Sequence, residues 1–88
     1  MNLNIIENKI NTKEFTIYPN PNDGTFSIKL HNEIGELLKT TITDIRGTII
    51  YNTDTFTEQI QLPNPPAGIY IISLIFKDKI LTSKFVVL

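Results

Sequence analysis

Side chains able to do chemistry are few in this chain and widely spaced. His31 is the only histidine, and Ser27, Ser73 and Ser83 lie inside alternating or apolar stretches. A nucleophilic serine needs a base within hydrogen-bond reach and a loop that exposes its hydroxyl. No Gly-x-Ser-x-Gly turn surrounds any of the three. His31 stands beside a turn, where a surface role is expected, so no catalytic residue is assigned. Asp23, Asp44, Asp54 and Asp78 are the remaining candidates for a carboxylate pair. All four fall in predicted turns, where aspartate is favoured because it bonds its own backbone. Asn20, Asn22 and Asp23 gather oxygens in one tight loop, a donor set calcium uses. One carboxylate is too little charge for a firm site, so neither metal nor cofactor is expected. With no cysteine, disulfides and thiolate ligands are excluded. There is also no tryptophan, and Tyr51 is the one tyrosine expected to be exposed for stacking. Tyr18 and Tyr70 flank proline corners and are expected to pack there.

The stretch that must position much of this is Tyr18-Pro19-Asn20-Pro21-Asn22-Asp23-Gly24. Each proline fixes φ near −65° and pushes the preceding residue towards extended conformations, so no helix passes through. Asn22 and Asp23 can bond the local backbone, and Gly24 can take a positive φ. The corner joins Phe15–Tyr18 to Thr25–His31, where Phe26, Ile28 and Leu30 face one way and Thr25, Ser27 and Lys29 the other. That alternation predicts a half-buried antiparallel strand.

Further strands follow at short intervals. Asn32-Glu33-Ile34-Gly35 is a predicted turn, and Glu36–Asp44 a strand with Leu38, Thr40 and Ile42 on one face. Asp44-Ile45-Arg46-Gly47 carries Asp and Gly where a type I turn prefers them. Thr48–Asn52 and Phe56–Leu62 are the fourth and fifth strands. Pro63–Gly68 is a second stiff connection. Ile69–Phe76, apolar on both faces except at Ser73, predicts a central strand in the thick of the core. Ile80–Leu88 closes the chain, with Lys84 marking a solvent-facing position. Only Lys84 interrupts that run, so its edge is expected to lack the usual guards. Seven strands without a convincing helix mean an all-β sandwich or barrel. The mixture of hairpins and longer proline-rich connections favours a sandwich with Greek-key connections.

Composition narrows the partners. Eighty-eight residues make one domain, read as residues 14–88 behind a linker at 1–13. Basic and acidic residues number 8 and 9 and are scattered, so no basic stripe exists for nucleic acid. No apolar run is long enough for a membrane span. Met1–Lys13 lacks the charged start, apolar centre and small-residue cleavage site of a signal peptide. If the protein is exported, this chain is therefore expected to be a piece of something longer.

Four groups of residues in this order resemble the C-terminal sorting domain of type IX secretion cargo, type A. They are Tyr18-Pro19-Asn20-Pro21 with Gly24; Ile42–Gly47 with Asp44; Leu62 followed by Ala67-Gly68-Ile69-Tyr70; and Lys84-Phe85-Val86-Val87-Leu88. The resemblance covers roughly residues 15–88, and the longer Pro63–Pro66 stretch departs from the pattern. It implies an immunoglobulin-like β-sandwich at the end of otherwise unrelated secreted proteins of the Bacteroidota. It also implies a non-enzymatic recognition role for the motif residues Tyr18, Pro19, Asn20, Pro21, Gly24, Asp44, Gly47, Gly68, Tyr70, Lys84, Phe85, Val86, Val87 and Leu88. The implied partners are an N-terminally fused cargo, the type IX translocon and a surface sortase that usually removes the domain. The implied route runs through the periplasm and across the outer membrane to the cell surface or beyond. A generic immunoglobulin-like binding or adhesion module is the alternative that the residues without their motifs allow. Position separates the two, since a sorting signal is expected to end its chain, as Leu88 ends this one.

Overall fold

Period-two alternation becomes burial wherever two sheets press their apolar faces together. The computed structural model describes residues 14–31 and 35–88. These form seven strands: β1 (Phe15–Tyr18), β2 (Thr25–Leu30), β3 (Leu37–Asp44), β4 (Ile49–Thr53), β5 (Gln59–Gln61), β6 (Gly68–Phe76) and β7 (Ile80–Val87). There is no helix among the described residues. The expected linker at Met1–Lys13 and most of the expected turn Asn32–Gly35 lie outside them.

The strands make two antiparallel sheets, β1-β2-β5 and β4-β3-β6-β7. The chain changes sheet between β2 and β3, between β4 and β5, and between β5 and β6. This is the immunoglobulin-like sandwich expected, with connections that cross between its layers. Phe15, Ile17, Phe26, Ile28 and Ile60 from the small sheet meet Ile42, Tyr70, Ile72, Leu74, Phe85 and Val87 from the large one. Phe26 and Phe85 pack with ring centroids 4.7 Å apart across the middle. Each fully buried side chain of this kind contributes about 1.5–3 kcal/mol.

Four local expectations are corrected. Leu38 was expected to share one face with Thr40 and Ile42, but those two are buried and Leu38 is 43% exposed. The pairing of β3 with β6 shifts register between Leu37 and Lys39, and that irregularity turns Leu37 inward instead. A one-residue slip moves a side chain to the opposite face. β5 is only Gln59–Gln61, shorter than the expected Phe56–Leu62, although Phe56, Ile60 and Leu62 all pack on the core. β6 is central in its sheet but fully buried on one face only, because the sandwich has two layers; on the other face Ile69 is exposed and Ile71 and Ile75 are only partly covered. Finally, Tyr18 is 48% exposed whereas Tyr51 is half-buried against the core. Tyr51 lies opposite Ile42, so it shares the inner face that Ile42 occupies.

Thr40 sits on that inner face, 2% exposed, and its hydroxyl has no partner among the described residues. A buried hydroxyl without a hydrogen bond opposes folding by about 1–3 kcal/mol. Thr40→Val keeps the shape and removes the polar atom. It is expected to raise the melting temperature by roughly 4–8 °C for each kcal/mol gained. An unchanged or lower melting temperature would show that the hydroxyl is bonded in solution.

Candidate functional site

The four motif groups are far apart in sequence but occupy one end of the sandwich. That end gathers the close of β1, the start of β2, the Asp44 turn after β3, the start of β6 and the close of β7. Each group does definable local work there.

The corner after β1 has both the Tyr18–Pro19 and Asn20–Pro21 bonds in cis. Asn22, missing from the motif residues singled out above, is its centre and is 6% exposed. Its amide donates from Nδ2 to the Pro19 carbonyl at 3.0 Å and accepts at Oδ1 from the Gly24 N–H at 2.8 Å. Its main chain reaches the other end of the protein: Asn22 N–H donates to Val86 O, and Leu88 N–H donates to Asn22 O, both at 2.9 Å. Asn20 Oδ1 accepts from the Val86 N–H at 2.9 Å. The corner is therefore a short parallel bridge along the outer edge of β7. The edge expected to be bare is guarded over its last residues by a loop rather than by charge. The asparagine oxygens offered to a cation are likewise engaged by main-chain N–H groups, and Asp23 Oδ1 accepts from the Thr25 N–H.

Gly24 has φ +107°, and a Cβ there would lie 2.7 Å from Cγ of Pro65. Its carbonyl accepts from the Leu62 N–H at 2.8 Å. The glycine thus lets the corner seat directly on the proline-rich connection Pro63–Pro66.

The Asp44 turn behaves as its spacing predicts. Gly47 N–H donates to the Asp44 carbonyl at 3.0 Å, and Gly47 takes φ +93°. The Asp44 carboxylate accepts the N–H groups of Arg46 and Thr48 and meets the Arg46 guanidinium at 3.2 Å. Partial desolvation alone would raise its pKa. The Thr48 N–H and the Arg46 guanidinium and N–H outweigh that, and hold the carboxyl below its ordinary value. Asp44 faces Tyr70 in the β3–β6 register, so the second and third groups are neighbours. Tyr70 is buried, and its hydroxyl donates to the Pro66 carbonyl. This is the tyrosine corner of immunoglobulin-like folds, which ties the start of a core strand to the connection before it. Between the Asp44 turn and Pro63–Pro66 lies an open cleft of about 330 Å³ with Tyr70 at its base.

In the fourth group alternation decides each role. Phe85 and Val87 point inward and are buried, and the Phe85 ring lies 5.7 Å from Tyr70. Lys84, Val86 and Leu88 share the outer face, with Leu88 81% exposed. Among the described residues Lys84 makes no ion pair. His31 is exposed, with Nε2 2.6 Å from Thr16 Oγ1, and belongs to no cluster of three or more His, Asp or Glu side chains among the described residues.

Two expectations follow from this geometry. Gly24→Val combines a positive φ with overlap on Pro65, so it should destabilise the domain by more than about 1 kcal/mol; a melting temperature equal to wild type would disprove the seat. Asp44→Asn can accept the same backbone bonds and should melt close to wild type at neutral pH, whereas Asp44→Leu should melt well below it. Because folding lowers the Asp44 pKa, its carboxylate stabilises above the unfolded value, near 4, and that contribution disappears as pH falls through the lowered folded value. The gap between wild type and Asp44→Leu should therefore narrow on acidification, as thermal melts across pH 2–7 would reveal.

Comparison with curated proteins finds no match. The family model for the secretion system C-terminal sorting domain matches residues 16–88, which spans all four motif groups and the sandwich from the second residue of β1 onward. The chain belongs to this family of sorting domains, the C-terminal signals of type IX secretion.

Proposed function

We propose that the motif-bearing end of the sandwich is the surface that the type IX translocon reads. Residues 14–88 form the sorting domain, and residues 1–13 link it to a cargo that it accompanies through the periplasm and across the outer membrane. A surface sortase then cuts the domain away. No catalysis is assigned to the domain itself.

The observation that carries this reading is convergence. Tyr18–Gly24, Asp44–Gly47, Gly68–Tyr70 and Lys84–Leu88 come from separate stretches yet meet at one end, joined by the bridge from Asn22 to Val86 and Leu88. Exposure divides the labour within it. Asn22, Gly24, Tyr70, Phe85 and Val87 are buried and hold the shape. Tyr18, Pro19, Pro21, Lys84 and Leu88 are exposed and available to a partner. Lys84 is the strongest candidate for recognition, being a cation on an otherwise apolar terminal stretch.

Residues 14–88 placed behind a periplasmic reporter in a type IX-competent host should carry the reporter to the cell surface or medium. Retention of a folded fusion in the periplasm would refute the reading. Lys84→Ala should melt within about 0.5 kcal/mol of wild type, as exposed substitutions do, yet export the reporter less well. Full export by that variant would remove Lys84 from the recognised surface and leave the terminal strand as packing.

A further inference from the structure

A sheet edge is a row of unpaired backbone donors and acceptors, and folded proteins blunt such rows by recognisable devices. Three of the four edges here carry one. β1 is four residues long and runs into Pro19. β5 is three residues long, with Pro63 close behind. β4 is broken by an irregularity opposite Ile42 and Thr43. β7 differs, because its pairing with β6 runs unbroken from Val87 to Ile80.

The bridge from the corner shows which groups of β7 face outward. Val86 uses its N–H and its carbonyl to meet Asn20 and Asn22, so both point away from β6. Backbone direction alternates along a regular strand. Ile80, Thr82 and Lys84 therefore present their N–H and carbonyl groups on the same edge, and nothing described lies against that row beyond the Ser83 hydroxyl at the Lys84 carbonyl. Their side chains are exposed on the outer face.

We infer that this free segment of β7, Ile80–Lys84, pairs antiparallel with the same segment of a second copy of the chain. A two-fold axis through Thr82 makes the edge self-complementary. Thr82 then faces Thr82 of the second copy, a favourable cross-strand pair. Ile80 faces Lys84, whose methylene stem can cover it. Lys84 also comes one diagonal step from Asp78 in the hairpin loop of the second copy, so opposite charges approach twice by symmetry. No like charges stand directly opposite one another in this register, and the corner over Val86–Leu88 stops the pairing at its far end. A segment this short buries well under the roughly 1,000 Å² of a lasting complex, so the dimer is weak and concentration-dependent.

Because the chain has no cysteine, a single Thr82→Cys substitution reports on the pairing cleanly. The axis sets the two residues about 5.5 Å apart between Cα atoms, within disulfide reach. In the full 88-residue chain, Thr82→Cys should form an interchain disulfide at least tenfold faster than Gln61→Cys, an exposed position on the β5 edge. Sedimentation velocity of the wild type should reveal dimer at high micromolar to millimolar concentration. Thr82→Lys, which sets two cations face to face, should weaken it at least tenfold without lowering the melting temperature. A wild type that stays monomeric over this range would overturn the inference, including the case where the edge serves a translocon segment instead. So would equal cross-linking of the two cysteine variants, or dimerisation of Thr82→Lys at wild-type strength.

Discussion

A buried primary amide must satisfy two donors and an acceptor, and at Asn22 that requirement organises the end of the molecule where all four motif groups lie. Its side chain closes the proline corner on itself, which leaves the main chain free to serve a remote strand. The groups so freed are the ones that meet Val86 and Leu88. A turn residue at the start of the domain thereby fixes a strand at its end. Removing the amide would leave the buried Gly24 N–H unpaired and free the Pro19 carbonyl from the bond that closes the corner. Gly24 and Pro65 then fix the height at which the corner sits, because a side chain at position 24 would push the two apart.

Around this point the sandwich distributes its apolar residues unevenly. The inner faces of both sheets are filled, and Phe85 touches Phe26 from the small sheet and Tyr70 from its neighbour. The outer face of the large sheet keeps Ile69, Ile71 and Ile75 only partly covered. The terminal strand accordingly works on two sides: Phe85 and Val87 complete the core while Lys84, Val86 and Leu88 stay accessible.

How much of this was legible beforehand depended on range. Phe26, Ile28 and Leu30 announced their strand, and Asp44 with Gly47 announced their turn, because both signals are local. Leu38 misled because a register irregularity against β6 is set by the partner strand and leaves no local mark. Tyr51 misled for a related reason: burial came from what lay opposite it, Ile42, rather than from its own flanks. The partnership of Asn20 and Asn22 with β7 was hidden because turn chemistry already accounted for asparagines beside prolines. A faint signal did exist. An unguarded apolar edge in one part of the chain, and a loop with surplus hydrogen-bonding groups in another, each lacked a counterpart.

The bridge between Asn22 and the terminal strand also defines a path for force. The two segments run parallel where they meet. Tension that draws Glu14 one way and Leu88 the other slides them along each other and loads their hydrogen bonds together instead of peeling them one by one. That tension reaches β7 after crossing only Phe15–Asn22, so the hairpins between Asp23 and Phe85 are bypassed. Mechanically, the domain is a buckle: its two ends are fastened directly to each other, and beyond β1, which is paired with β2, the sandwich carries load only after the buckle opens.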